Sequence, residues 1–477
     1  MEAAEILAKS KKGYLIAPAG CGKTHLIAEA IGRFGGGHEL ILTHTHAGVD
    51  ALRRKLSNMN VSASSFHIDT IAGWALRYAA SFPKSSGLSI TMPVQAQWDE
   101  TYKATTILLK DSCFQRIIKA SYSGVYVDEY QDCTILQHTL ILALANLIPC
   151  RILGDPLQGI FDFGENIPFN WEHDVVTNFK RLPELTKPWR WLKTNQELGK
   201  WLSQVRTEIL AGRAVDLRKA PGSAVRWIQL PARNFFREQY LICSKVTDQQ
   251  GMVVAIHHPL AEPQCNNLAR QLGGSFAALE TIECRDLLMS AEGIDKTQKI
   301  DRVIKIIKFA SMCLTKVSTE LKPLSDAFGK GRIPAKFKHK LVLEGCMNVI
   351  NNSNSKVIME LLEAIKNISG VKIVRRELFY EMNRALRAFG EGGFSSLRDA
   401  AWHVRDLTRR EGRVMGRRNL GRTLLIKGLE FDEAIVLNAS VLDAKNLYVA
   451  LTRGSKFLTV LSTIPVLGPF KLSNIIT

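Results

Sequence analysis

Through the first 180 residues, short and almost uninterrupted apolar runs alternate with longer amphipathic stretches. Tyr14-Leu-Ile16, Gly124-Val-Tyr-Val127 and Arg151-Ile-Leu-Gly154 are too short for helices and lack a two-residue polar alternation. Such runs predict strands covered on both faces. Between them, Leu26-Ile-Ala-Glu-Ala-Ile31 predicts a helix. Strand–helix alternation argues for a parallel sheet with helices on both sides, an α/β fold. Residues 181–285 continue it, with strands predicted at Val225–Leu230, Tyr240–Cys243 and Val253–His257. Residues 286–410 lose the rhythm and read as helices, Val357–Ile365 being the clearest. There, Lys299, Arg302, Lys305 and Lys308 recur between Ile300, Val303, Ile304 and Ile307, an amphipathic helix with a basic face. That face is either simply solvated or a contact for duplex or partner. Alternation resumes at Ala434-Ile-Val-Leu437.

Composition narrows the class. The 477 residues are 46% hydrophobic and 23% charged, enough for several compact units each with its own core. No run approaches the roughly 18 apolar residues that span a bilayer, so no membrane partner is expected. Glu2 and Glu5 stand where a signal peptide carries bases. The nine cysteines include no C-x-x-C pair, which argues against a zinc knuckle or a disulfide framework. The expected compartment is cytoplasmic. A net charge of +18 favours a polyanionic partner through phosphate neutralisation and counterion release.

The chemistry is concentrated at strand ends. Tyr14-Leu-Ile16 runs directly into Ala17-Pro18-Ala19-Gly20-Cys21-Gly22-Lys23-Thr24-His25 and then the helix at Leu26. Strand, glycine-bearing loop and helix in that order form the context of a phosphate loop for ATP. Gly20 and Gly22 let backbone N–H groups close around phosphate oxygens, and the helix N-terminus adds the positive end of its dipole. Lys23 is placed for the β- and γ-phosphates and the Thr24 hydroxyl for Mg²⁺. The strand at Val125–Val127 ends in Asp128-Glu129, one carboxylate to hold Mg²⁺ and one to polarise the attacking water.

Further segments follow in fixed order: Gly154-Asp-Pro-Leu-Gln158, Trp189-Arg190, Lys427-Gly-Leu-Glu430-Phe-Asp432 and Leu447-Tyr-Val-Ala-Leu-Thr-Arg453. The whole set resembles the UvrD/Rep family of superfamily 1 DNA helicases. That resemblance implies two RecA-like P-loop domains with parallel sheets. Residues 1–180 would form the first, with a small insertion at about 76–120; residues 181–285 and 411–477 would form the second, interrupted by a helical insertion at 286–410. It implies that Gln158 senses the γ-phosphate, that Arg190 and Arg453 contact it from the second domain, and that Glu430 lies near the ribose. Arginine suits both positions, being always charged and able to fork onto two phosphate oxygens.

The resemblance also implies a nucleic-acid track. Thr43-His44-Thr45-His46 is similar to the family's DNA-gripping segment, and Ser65–Arg77, with His67, to a second strand contact. An amphipathic helix burying Trp74 is equally compatible with the latter. Phe161 and Phe163, behind Gln158, either stack on bases or fill the core. Arg422 and Thr423 stand where the family carries a Thr and a His, and the glutamine that reads adenine ahead of the loop is absent. Arg405, Arg409, Arg410, Arg413, Arg417, Arg418 and Arg422 crowd this approach and are predicted as phosphate contacts. The expected activity is ATP-dependent 3′-to-5′ translocation on, or unwinding of, single-stranded or tailed duplex DNA. The alternative is a nucleic-acid-gated ATPase serving as sensor or regulatory subunit beside a separate nuclease subunit in a phage-defence complex.

Overall fold

A computed structural model describes residues 2–90, 93, 97–160, 170–247, 251–281, 284–352, 354–411 and 415–471, with backbone only at 409–411. The chain divides into two compact units. One comprises Met1–Trp227, Ala439–Leu458 and Ile464–Thr477, the other Ile228–Asn438 and Thr459–Thr463.

In the first unit, β1 (Lys12–Ile16), β2 (Glu39–Thr43), β3 (Phe66–Thr70), β4 (Gly124–Val127), β5 (Cys150–Gly154) and β6 (Lys180–Arg181) form a sheet in the order β3-β2-β4-β5-β1-β6. Its pairings are parallel. Successive side chains leave the sheet on opposite faces. Tyr14, Leu40, Leu42, Val125, Val127 and Ile152 pack with Trp74, Tyr102 and Phe114 on one face. Leu15, Ile41, Tyr126 and Leu153 pack with Leu26, Ile27 and Leu52 on the other. Burial on both faces is why the strands read as unbroken apolar runs. Between β3 and β4 lie the helices Ile71–Ser81, Pro83–Ser86, Gln97–Leu108 and Ser112–Ser121. Trp74 is fully buried on the first of these.

The packing groups two later stretches with this sheet. One is residues 181–227, which carry the helix Gln196–Leu210 and β7 (Val215–Asp216). The other holds the helix Ala444–Leu451, buried at every position but Lys445. A helix apolar nearly all round belongs inside a core.

The remaining strands are β8 (Val225–Gln229), β9 (Val253–His257), β10 (Ala277–Ala278), β11 (Arg418–Arg422), β12 (Phe431–Val436), β13 (Gly454–Ser462) and β14 (Val466–Leu467). β14 pairs antiparallel with β7. The others form a second six-stranded sheet in the order β10-β11-β9-β12-β13-β8. Within the second unit β9 pairs in parallel with β11 and β12, and β10 with β11. The architecture is α/β with two six-stranded parallel sheets, as expected of two RecA-like domains. Tyr240–Cys243, predicted as a strand, instead belongs to the helix Phe236–Ser244. Gln239 and Cys243, four apart, are its buried positions, a helical spacing that a four-residue apolar run does not reveal. Residues 285–411 build eight helices around a separate core that includes Phe309, Leu361 and Phe379. Among the described residues no helix is long and apolar enough to cross a membrane.

Candidate nucleotide site

The strand order β4-β5-β1 sets three carboxyl ends side by side, the edge at which open α/β sheets bind ligands. Ala17–Thr24 follows β1, Asp128-Glu129 follows β4 and Asp155–Gln158 follows β5. In the loop, Gly20 (φ 70°) and Gly22 (φ 87°) take left-handed backbone conformations that glycine adopts without steric cost. Gly22 immediately precedes the helix Lys23–Phe34. A Cβ at Gly20 would stand 2.6 Å from the Trp191 ring, so the loop also needs glycine for close packing.

Lys23 is buried, its Nζ 3.2 Å from Glu129 Oε1. Burial opposes its charge, but Glu129, Asp128 and Asp155 more than compensate and hold its pKa above the usual lysine value. Asp128, also buried, is pushed up to about 7, first by burial and then by the neighbouring Glu129 charge, with Lys23 opposing. Two adjacent carboxylates facing one ammonium leave an excess of negative charge that a divalent cation would compensate. The site therefore fits Mg²⁺, and Asp128 and the half-buried Thr24 are the side chains to hold it.

Glu129 has a left-handed backbone (φ 53°), uncommon for a residue with a side chain. Gln131 Nε2 donates to Glu129 Oε2 at 2.5 Å, and Gln131 Oε1 accepts the Asp155 N–H at 2.9 Å. One glutamine thus ties the ends of β4 and β5. Gln158 Nε2 donates to Asp155 Oδ2 at 2.9 Å, and Gln158 Oε1 accepts from Arg453 Nη2 at 3.4 Å. Arg453 is 1% exposed. Arg190 donates through Nη1 to the Thr452 carbonyl at 2.8 Å, and its backbone N–H donates to the Gly20 carbonyl at 3.1 Å.

The structure thus brings Lys23, Asp128, Glu129, Gln158, Arg190 and Arg453 into one unit. His25 is exposed on the first helical turn. Glu430 is exposed in the second unit, just before β12.

The other predicted contacts are placed as follows. Thr45 caps the helix His46–Asn58, its Oγ1 accepting the Gly48 N–H at 3.1 Å. His44, half-buried beyond β2, has Nε2 3.5 Å from Cys133 Sγ. His67 Nε2 is 3.0 Å from Arg77 Nη1, and Arg77 also binds Asp69. Thr423 is buried. Arg422 is half-buried, donating to the Pro259 carbonyl and pairing with Glu262 at 2.9 Å. Phe161, Phe163 and Arg413 lie outside the described residues, as do the side chains of Arg409 and Arg410. Arg405 overturns its expectation as a phosphate contact. It is buried and pairs with Glu381 at 2.6 Å, because the helix carrying it turns that face into the helical core.

Several side chains at the site were given no role in the sequence reading. Trp189 stands 51% exposed beside Gly22, with Lys187 Nζ 3.8 Å from its ring centroid. Trp191 Nε1 donates to the Gly454 carbonyl at 2.9 Å. Aromatic residues on both sides of Arg190 were the available signal. Tyr448 lies in the segment that carries Arg453, and Arg206 gave no signal.

Residues 1–164 match a family model described as an AAA domain. No curated protein matches the chain. Among solved structures the chain is similar to arterivirus nonstructural protein 10 (helicase), in a complex with DNA, at 10% identity and a TM-score of 0.35. That alignment covers 100% of this chain, which spans 65% of the other's length. The similarity to the AAA domain runs from the N-terminal helix to just beyond Gln158, and so takes in Lys23, Asp128 and Glu129.

Proposed function

We propose that this chain is an ATP-dependent, Mg²⁺-requiring DNA translocase or helicase of UvrD/Rep type, moving 3′ to 5′ on single-stranded DNA. The observation that carries the reading is the convergence of Lys23, Asp128, Glu129, Gln158 and Arg453, all but Glu129 buried, at the sheet's carboxyl edge. Lys23 would exchange Glu129 for phosphate oxygens, which frees the Glu129 carboxylate to orient water. Mg²⁺, held by Thr24 and Asp128, would supply neutralisation of the developing phosphate charge. Gln158 and Arg453 stand as a donor pair for the same oxygens. In a chain without the adenine-reading glutamine, the exposed Trp189 ring offers a surface on which a base can stack.

Coupling to a strand has a short route. The Asp128 N–H donates to the Leu42 carbonyl at 2.9 Å, two residues before His44. A change in how Asp128 is held therefore reaches the end of β2, where His44, Thr45 and His46 would meet DNA. The charge of +18 supports a polyanionic partner.

The test is ATP turnover with and without single-stranded DNA, together with strand displacement on a 3′-tailed duplex. DNA-stimulated turnover with displacement is expected. Turnover indifferent to nucleic acid would remove the proposal, and stimulation without displacement would move the chain to the sensor reading.

A further inference from the structure

We infer that Arg206 is a positioning residue for this site, acting through Asp155 to fix which end of the Gln158 amide faces Arg453. The inference rests on the ATP-hydrolysing reading above. Arg206 sits on the helix Gln196–Leu210, outside every motif segment read from the sequence. Its Nη1 donates to Asp155 Oδ1 at 2.6 Å. Its guanidinium lies 5.5 Å from the Tyr448 ring centroid, and the Tyr448 hydroxyl accepts the Ala19 N–H of the phosphate loop at 3.3 Å. Tyr448 and Ala19 thus seat the arginine from its other side.

Asp155 has no exposed surface. One of its oxygens takes Arg206 and the other takes Gln158 Nε2 at 2.9 Å. A carboxylate accepts and does not donate, so it admits only the NH₂ end of the Gln158 amide. The carbonyl end is then left for Arg453 Nη2, 3.4 Å away. The reverse orientation would set NH₂ against guanidinium, two donors face to face. Arg206 is the counter-charge to Asp155 in this dry position, the pair closing at 2.6 Å. Burial disfavours the arginine's own charge, yet Asp155 and then Tyr448 outweigh that and raise its pKa. Without Arg206, Asp155 loses its counter-charge, Gln158 loses its orientation, and Arg453 loses the acceptor that aims it.

The experiment is a double-mutant cycle on the full chain. It measures kcat, nucleotide KM and Tm for wild type, Arg206→Lys, Gln158→Ala and the double variant. Lysine keeps the charge but cannot reproduce the planar guanidinium that bonds Asp155 while lying against the Tyr448 ring. Arg206→Lys should lose roughly tenfold in kcat, the scale of one charged hydrogen bond, with KM moved less than about threefold. In the Gln158→Ala background the same substitution should cost almost nothing further, because its route runs through Gln158. Additive losses would overturn the inference, since a merely structural arginine costs the same in either background. If Arg206→Lys does not fold, the isosteric Asp155→Asn enters the same cycle, with the same non-additivity expected and additivity again fatal. A wild type inert towards ATP would overturn the site reading and this inference with it. An active wild type with additive losses would remove this inference alone.

Discussion

Arg453 Nη2 lies 3.4 Å from Gln158 Oε1, although 295 residues separate the two in the chain. The contact is buried and is built inside one compact unit. On the proposed reading, with Gln158 at the γ-phosphate, Arg453 would stabilise charge as it develops on the transferred phosphoryl group. Arg453→Ala should therefore lower kcat by about 10³ or more, the scale of an arginine finger. Arg453→Lys should recover little, because a point charge cannot reproduce the fork. Steady-state turnover, with nucleotide affinity measured separately, checks both.

Lys23 stands between Glu129 at 3.2 Å and the Ala17 carbonyl at 3.5 Å. Lys23→Ala should reduce nucleotide affinity by roughly 10- to 100-fold, the worth of one or two charged hydrogen bonds. Titration with a fluorescent ATP analogue measures this directly.

How much of this was legible depended on how local each feature is. The placement of Ala17–Thr24, Asp128-Glu129 and Gln158 at strand ends was readable because each lies within a few residues of the strand that delivers it. The buried strands were readable for the same reason, as at Tyr14–Ile16. What the sequence hid is pairing at a distance. Asp155 meets Arg206 across 51 residues, and the Ala19 amide meets Tyr448 across 429. Arg206 lies outside every segment read from the sequence, and Tyr448, although within Leu447–Arg453, carries no sign there of its partner. Charge runs were also ambiguous, because charge alone does not report direction. Arg405 turns into a buried pair with Glu381, whereas Lys305 and Lys308 on another helix remain exposed. Tyr240–Cys243 was misread because four apolar residues fit a strand and a helix equally well.

Asp128 should give the apo protein a measurable pH dependence. Its pKa is raised to about 7 from an unfolded value of 3.8, so the folded state binds the extra proton between those values. Stability from this group therefore falls as pH rises from about 4 to 7 and is level above. Asp128→Asn should match wild type near pH 4 and exceed it near pH 8, by roughly 2–4 °C in Tm for each kcal/mol relieved. Nucleotide affinity in the presence of Mg²⁺ should strengthen through the same window, since the metal selects the carboxylate. Thermal melts across a pH series test the sign, and a gap that narrows with rising pH would contradict it.

The half-buried ring of His44, at the end of β2, is the candidate base contact closest in sequence to the β2–β4 link. His44→Ala should weaken single-stranded DNA binding by roughly fivefold or more while leaving basal ATP turnover intact. Binding measured across a salt series should fall linearly in log–log form for wild type and variant alike. Loss of basal turnover would place His44 in the nucleotide site instead.

The most direct measurement is ATP turnover by wild type and Glu129→Gln, each with saturating single-stranded DNA and Mg²⁺. Glutamine keeps the shape and loses the carboxylate that faces Lys23. Wild-type hydrolysis should rise with DNA, while the variant still binds nucleotide but turns it over at least about 100-fold more slowly. Equal rates for the two proteins would contradict the assignment of this network as a catalytic site.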